Sequence, residues 1–283
     1  EKASLAKTAE ERRKILSFTI IGGGPTGVEI AGAIGEMKRY VLSREYPDIS
    51  IDDLNVTIIE GTDRLLRTMS PRSSKETLEY LGHLMVDVKL EKTMKSYENN
   101  IITFADGSEL YSEMVIWTAG ITGEPFTFVG GEPEITRGNR FVVNEYNQVA
   151  GVEDVYAIGD ISSHSDERFP YGYPQLAQVA IQQAVTLAKN LNKGEFKKTF
   201  NYNDKGTMAT VGRNRAVCDL NNIHLYGRPA WAAWMFVHLI SILGMRNKIS
   251  VLINWIWAYC TYSTSLRLLF SPTKYPLKSS QKE

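Results

Sequence analysis

Short apolar runs alternate with longer amphipathic ones through the first half of the chain, and the period of each run sets the element expected there. Phe18-Thr19-Ile20-Ile21 ends in Gly22-Gly23-Gly24 and passes into Val28-Glu29-Ile30-Ala31 at helical spacing, which predicts a strand, a glycine turn and a helix. A polar helix, Leu5 to Leu16, leads into that strand. Asn55-Val56-Thr57-Ile58-Ile59 predicts a second strand; Arg39 to Leu54 lengthens the crossover before it, with Pro47 and the Asp52-Asp53 pair ending the helix. Ser70 and Pro71 suit the N-cap and first position of a helix reaching Leu81. Val86 to Leu90 then alternates, Ile101 to Phe104 is strand-like, and Glu98-Asn99-Asn100 and Asp106-Gly107 carry turn chemistry, so a β-meander is expected, returning to a parallel sheet through Met114 to Trp117.

In the second half, Phe141 to Asn144 and Val155 to Ile158 read as strands, the latter running into Gly159-Asp160. Pro174 starts a predicted helix, Gln175 to Leu191, stopped by Asn192-Lys193-Gly194. Its Gln175, Gln178 and Gln182 share one face, and Leu176, Ala180, Ala184, Leu187 and Leu191 another. Two apolar stretches, Pro229 to Met245 and Ile249 to Ser265, flank Arg246-Asn247-Lys248 and carry Trp231, Trp234, Trp255 and Trp257.

A chain of 283 residues, 43% hydrophobic and 23% charged, is long enough for two domains. Its formal net charge of zero, with no basic stretch interleaved with aromatics, argues against nucleic acid as a partner. Cys218 and Cys260 are far apart, so neither a zinc ribbon nor a redox dithiol is expected, and a reducing compartment suits them. The four histidines lack ligand spacing; no metal site is predicted. The chain opens on Glu1 without an initiator methionine or leader and reads as a piece of a longer protein.

Gly22, Gly24 and Gly27 form G-x-G-x-x-G between a strand and a helix, the arrangement that brings a dinucleotide pyrophosphate onto unpaired N–H groups and the positive end of a helix. Glu60 ends the next strand. A carboxylate there accepts hydrogen bonds from both ribose hydroxyls and repels a 2′-phosphate, which points to NADH over NADPH. Asp160 reads either as a ligand-binding carboxylate at a strand end or as the cap of a turn, and the glutamine face as either solvated or functional. From Arg228 on, the basic residues are Arg228, Arg246, Lys248, Arg267, Lys274, Lys278 and Lys282, against Glu283 alone. That cationic, Trp-rich tail suits interfacial helices on anionic lipid, with a short transmembrane hairpin and a dimer or core surface as the alternatives.

The ordered set Ile-Gly-Gly-Gly-Pro-Thr-Gly-Val-Glu (21 to 29), Trp-Thr-Ala-Gly (117 to 120), Ala-Ile-Gly-Asp (157 to 160) and Ala-Gln-Val-Ala-Ile-Gln-Gln (177 to 183) resembles the type II NADH dehydrogenases, which are monotopic, non-proton-pumping NADH:quinone oxidoreductases. The similarity continues through Gly206 to Gly212 and the tail, Ala230 to Leu269. The resemblance implies an α/β flavoprotein fold with two Rossmann-like dinucleotide-binding domains and C-terminal amphipathic helices. Its parts would be a link helix (1–16), a complete NADH-binding domain with a meander (17–122), the second half of an FAD-binding domain (123–225) and a membrane-association region (226–283).

It further implies FAD and NADH as cofactors and a membrane quinone as partner. Gly22, Gly24, Pro25, Thr26, Gly27, Glu60, Ala119 and Gly120 would hold NADH. Gly159, Asp160, Gln175, Leu176 and Ala177 would hold the flavin, with Glu29 near the nicotinamide and Gln178 and Gln182 at the quinone. The expected setting is peripheral attachment to the cytoplasmic face of a bacterial inner membrane, with a homodimer as a further expectation. The family's other G-x-G-x-x-G, for the FAD diphosphate, has no copy in these residues. The chain alone is therefore expected to bind NADH without turnover. Kept beside this are a membrane-associated NADH-binding module without turnover, and a reductase of the ferredoxin-reductase or apoptosis-inducing-factor kind.

Overall fold

A computed structural model describes residues 2–124, 126–129, 131–242 and 244–261. Two compact units divide the chain between Trp234 and Met235.

In the first unit, a 3-10 turn (Lys2–Leu5) precedes α1 (Ala9–Ile15), β1 (Ser17–Ile21) and α2 (Pro25–Glu36). The expected helix from Leu5 is thus split, because the Thr8 hydroxyl caps α1 by accepting the Glu11 N–H. A π turn (Met37–Val41) carries α2 into the short α3 (Leu42–Glu45), which stops ahead of Pro47, and Asp52 and Asp53 sit in a separate 3-10 turn before β2 (Asn55–Ile59). α4 (Pro71–His83) follows, capped by Ser70. Then come β3 (Val86–Lys89), β4 (Met94–Glu98), β5 (Ile101–Phe104), β6 (Glu109–Tyr111) and β7 (Met114–Trp117).

The main sheet is wholly parallel, in the order β3-β2-β1-β7. This corrects the expected place of Val86 to Leu90: β3 pairs with β2, Val56 opposite Val86, and the meander is β4-β5-β6. Alternation alone could not tell a parallel strand that follows a helix from the first strand of a meander. The period of two sends Ile20 and Ile58 into one core with Val28, Ala31 and Leu81 from α2 and α4, and sends Ile21 and Ile59 into another with Ile102 and Phe104 of the meander. Both faces of the sheet are covered, as a parallel sheet requires. Asn99 and Asn100, both at positive φ, turn β4 into β5.

The following segment holds β8 (Phe141–Val142), a 3-10 turn (Gly159–Ile161), β9 (Ser162–Ser163) and α5 (Ala177–Lys193). Val155 to Ile158 is not a parallel strand. Its backbone bonds run back to 147–149, with Val149 N–H donating to the Val155 carbonyl and the Ala157 N–H to that of Asn147, so no parallel neighbour is recruited. α5 opens two residues after the expected Gln175, with Leu176 as N-cap, and ends on Gly194 in the left-handed region.

Last come β10 (Thr207–Thr210), β11 (Ala216–Leu220) and β12 (Ile223–Tyr226), an antiparallel sheet, then α6 (Gly227–Ser241) and α7 (Met245–Thr261). Ala209, Val211 and Val217 join the core that α2 and α4 share with β1 and β2. No described helix is long and apolar enough to cross a membrane. The tail beyond Thr261, with Arg267, Lys274, Lys278 and Lys282, lies outside the described residues.

Candidate dinucleotide and flavin sites

β1 delivers the chain to Gly22 at φ +113°, a conformation that side chains resist. A Cβ there would meet the Ala119 nitrogen and the Thr118 side chain at 2.9 Å, and one on Gly27 would lie 1.9 Å from the Gly22 carbonyl oxygen. Around Gly24, by contrast, a Cβ would meet nothing within 4 Å. Two glycines therefore close the turn and the third leaves open space in front of α2. Pro25 occupies the first helical position and Thr26 the second, and no side chain caps the helix, whereas α1 and α4 both carry hydroxyl caps. An uncapped, open helix start is suited to a pyrophosphate.

Glu60 comes to the same turn. Its Oε2 accepts the Gly23 N–H at 2.6 Å, and its Oε1 accepts the N–H and hydroxyl of Thr62, both at 2.9 Å. The carboxylate is fixed beside the turn before any ribose arrives. Ala119 and Gly120 follow β7 and are exposed next to Gly22, with Gly120 at φ +97°. The Thr118 hydroxyl lies within hydrogen-bond reach of the Ile21 and Gly22 carbonyls, at 2.8 and 3.1 Å, and ties the two strand ends together.

Glu29 reaches across α2 to the C-terminal sheet. Its Oε1 accepts the Thr210 N–H at 3.1 Å and the Thr210 hydroxyl at 3.2 Å. The same helix face is pressed against that sheet at Gly32, where a Cβ would meet the Gly212 nitrogen at 2.7 Å.

The flavin candidates gather at the start of α5. Gly159, at φ +71°, donates its N–H to Gln183 Oε1 at 2.7 Å, and a Cβ there would press the Ala180 methyl at 3.2 Å. Gln183 is buried, and its amide nitrogen donates to Asn147 and Ser162. Gln175 donates to the Asp160 carbonyl at 3.0 Å, leaving the Asp160 side chain exposed. Burial pulls the half-buried Arg140 guanidinium below its usual range, while the Asp160 charge pushes it back up. The Leu176 cap brings no side-chain hydrogen bond, so the Ala177 end of α5 is a second uncapped helix start. What these elements leave open is the exposed Asp160 carboxylate, an acceptor, and the unpaired N–H groups at the start of α5; the α2 turn leaves open its own helix start, which fits the diphosphate of one dinucleotide.

Gln178 and Gln182 do not face solvent idly. Gln178 accepts the Lys205 N–H and donates to the Gly206 carbonyl, at 3.1 Å each, and Gln182 exchanges the same pair of bonds with the Asn203 backbone at 3.0 and 2.9 Å. Their amides act as strand partners for 203–206. Neither of the two readings left open by the sequence included that pairing.

Three further residues, Gly23, Thr118 and Gln183, pack into these turns, and a fourth, Asp219, joins β11 to α4; none of them was a sequence candidate. A Cβ on Gly23 would strike Leu65 at 2.6 Å and Glu60 Oε2 at 2.9 Å. Three consecutive glycines, one more than the motif needs, were the available signal. Asp219 on β11 accepts from the Ser70 N–H at 2.7 Å, the Ser73 hydroxyl at 2.9 Å and His224 Nδ1 at 2.7 Å, and nothing local in the sequence announces a contact spanning that distance. Burial alone would raise its carboxyl, but the hydrogen bonds from Ser70, His224 and Ser73 hold it below the usual carboxylate range. No group of three or more His, Cys, Asp or Glu residues suited to a metal occurs among the described residues.

Two family models match. Residues 2–184 match "Pyridine nucleotide-disulphide oxidoreductase" and residues 205–261 match "NDH2 C-terminal domain". The chain is 32% identical over 270 residues to the type II NADH:quinone oxidoreductase NdhA of Mycobacterium tuberculosis, covering 90% of this chain and 56% of that protein. It is 29% identical over 273 residues to the internal alternative NAD(P)H-ubiquinone oxidoreductase A1 of Solanum tuberosum, covering 87% and 53%. The chain thus spans about half the length of these curated relatives. The structure of NDH2 from Plasmodium falciparum in complex with NADH has the same fold, with a TM-score of 0.78 at 20% identity over 91% of this chain and 69% of that one.

Proposed function

Starting from the fact that the chain belongs to the pyridine nucleotide-disulphide oxidoreductase family and carries the NDH2 C-terminal domain, we propose that it serves a type II NADH:quinone oxidoreductase, oxidising NADH and passing electrons to a membrane quinone without pumping protons. The observation that carries this is the open, uncapped start of α2 behind Gly22, Gly24 and Gly27, with Glu60 already fixed beside it.

In this reading the N–H groups of the first turn of α2 and its positive dipole end bind the NADH pyrophosphate, and Gly24 lets the backbone approach it. Glu60 keeps its Gly23 and Thr62 bonds, which leaves one acceptor site, on Oε2, for a ribose hydroxyl. Ala119 and Gly120 line the path toward the nicotinamide end. Glu29, held by Thr210, stands one turn further along α2 toward that end. FAD, when bound, supplies the ring that takes hydride from NADH and returns electrons two at a time to a quinone. Gly159, Asp160 and the start of α5, Gln175 to Ala177, hold its ribitol side, and the α5 dipole favours negative charge there. Gln178 and Gln182 each keep one amide N–H beyond the strand-like bonds, and these are proposed to meet the quinone.

The second unit supports peripheral membrane attachment. On α7, Ile249, Leu252, Ile253, Ile256 and Trp257 recur at helical spacing and all are exposed, and no residue of α7 is buried. A helix with such a stripe, near Arg246 and Lys248, suits the surface of an anionic bilayer. We assign that surface, the four-part domain division (1–16, 17–122, 123–225 and 226–283), homodimerisation and the cytoplasmic face to this proposal too.

Quinone-dependent NADH oxidation by the whole protein tests it. Gln178→Ala and Gln182→Ala should raise the quinone KM severalfold and leave the NADH Kd unchanged. An unchanged quinone KM in both variants would reduce the glutamines to their role in pairing 203–206.

A further inference from the structure

The turn between β10 and β11 displays more positive charge than a hairpin needs. It reads Val-Gly-Arg-Asn-Arg from Val211 to Arg215, closed by the Val211 N–H on the Arg215 carbonyl at 2.9 Å, with Gly212 and Asn214 both at positive φ. Glu36, the last residue of α2, accepts the Arg213 N–H at 2.6 Å. On the other side the Arg215 guanidinium lies 5.7 Å from the Tyr80 ring centre of α4. Gly227, at φ +66°, brings the start of α6 to the same place, since a Cβ on it would sit 3.6 Å from the Tyr80 hydroxyl.

Between these elements is a cavity of about 320 Å³ lined by Glu36, Tyr40, Tyr80, Arg213, Arg215 and Arg228 among others. Three arginines and one glutamate thus line the same cavity. Burial pushes the Glu36 carboxyl above its usual range, with the Arg213 N–H and the charges of Arg213 and Arg215 pulling it back. The Tyr80 hydroxyl is pushed up to about 12, by burial first and by its bond to Glu76 second, and stays protonated. The cavity is at the far end of α2 from Gly24. Twelve residues at ~1.5 Å each put roughly 18 Å between them, so the nucleotide turn does not need these arginines.

We propose that this cavity binds a phosphate group, carried either by a lipid head group or by a small soluble phosphate. Guanidinium forks match phosphate oxygens two at a time, and a partly enclosed site strengthens the attraction that open water would screen. The three arginines come from the β10–β11 turn and the first turn of α6, so the site assembles only when the C-terminal sheet is docked on α2 and α4. It does not require the tail to bind a membrane.

Calorimetry on the chain with NADH already saturating keeps the dinucleotide's own phosphates out of play. The probes are dihexanoyl phosphatidylglycerol below its micellar concentration and inorganic phosphate. Saturable binding is expected, at least fivefold weaker in Arg215→Gln and in the exposed-site variant Arg228→Gln, and unchanged in Lys95→Gln on the distant β4. Binding of the lipid well above that of inorganic phosphate would identify the head group as the source, and comparable affinities a soluble phosphate. Absence of saturable binding for both probes, or binding that both arginine variants leave unchanged while NADH affinity shows them folded, would overturn the site.

Discussion

At the scale of single residues the account rests on how little room the nucleotide turn has. Gly27 is the sharpest case, because a methyl group there would sit 1.9 Å from the Gly22 carbonyl oxygen and 2.8 Å from the Thr118 hydroxyl, a conflict with backbone that no rotamer relieves. Gly27→Ala should lower stability by about 2 kcal/mol or more, as overpacking does, and abolish NADH binding. Thermal unfolding followed by NADH titration below the new Tm checks it; a variant with wild-type Tm and affinity would mean the turn is not needed in this form. The turn at Gly22, Gly24 and Gly27 was legible from its spacing, and Glu60 from its place at the end of the second strand, although the lengthened crossover carries it beyond the usual spacing from Gly27. Gly23, Thr118 and Gln183 were not, because their roles are set by what packs against them: Leu65 and Glu60 on Gly23, the β1 carbonyls on Thr118, and the Gly159 loop on Gln183.

Among elements, β1, β2, β5 and β7 agree with the sequence pattern to within a residue, since β-branched runs bounded by turn residues leave few choices. The errors came where partners decide. β3 joined the parallel sheet instead of the meander, and Val155 to Ile158 spent its backbone bonds on 147–149. The joint between α4 and β11 belongs to the same class. Asp219 completes the Ser70 cap of α4, and its side chain is 14% exposed. Its folded value is depressed below the ordinary 3.8, so its contribution is present above that value and is lost as pH falls through the lower folded one. Asp219→Asn should cost about 2 kcal/mol at neutral pH, a figure typical of hydrogen bonds to a charged group. The gap between wild type and variant should close in acid. Denaturant melts at neutral pH and near pH 3 measure both, and a gap that widened in acid would contradict this role for Asp219 and its partner His224.

On the scale of the whole molecule, the unit that carries the glycine turn is followed by one whose helices leave large apolar side chains exposed. Phe236 and Ile240 on α6 and Ile253 and Trp257 on α7 are each more than half exposed, the kind of apolar surface that marks an interaction site. The protein should float with vesicles of phosphatidylcholine containing a third phosphatidylglycerol. High salt should weaken that attachment without abolishing it, because apolar insertion survives screening; complete release by salt would leave only charge. The sequence expectation of a membrane-binding tail rests on its tryptophans and basic residues, and the vesicles are its test. The docking of the C-terminal sheet on α2 was not legible in the sequence, for it depends on Glu29 meeting Thr210, Gly32 meeting Gly212 and Glu36 meeting Arg213 across more than 170 positions.

The turn from Gly22 to Gly27, with Glu60 locked beside it, is proposed as an NADH site in its own right. Titration calorimetry of NADH and NADPH against the chain, wild type and Glu60→Gln, tests it most directly. NADH should bind saturably and NADPH at least tenfold more weakly, with the variant losing most of that difference through weaker NADH binding, since one charge-assisted contact is worth about 1.5–3 kcal/mol. Equal affinities for the two nucleotides in the wild type, or no saturable binding of either, would contradict it.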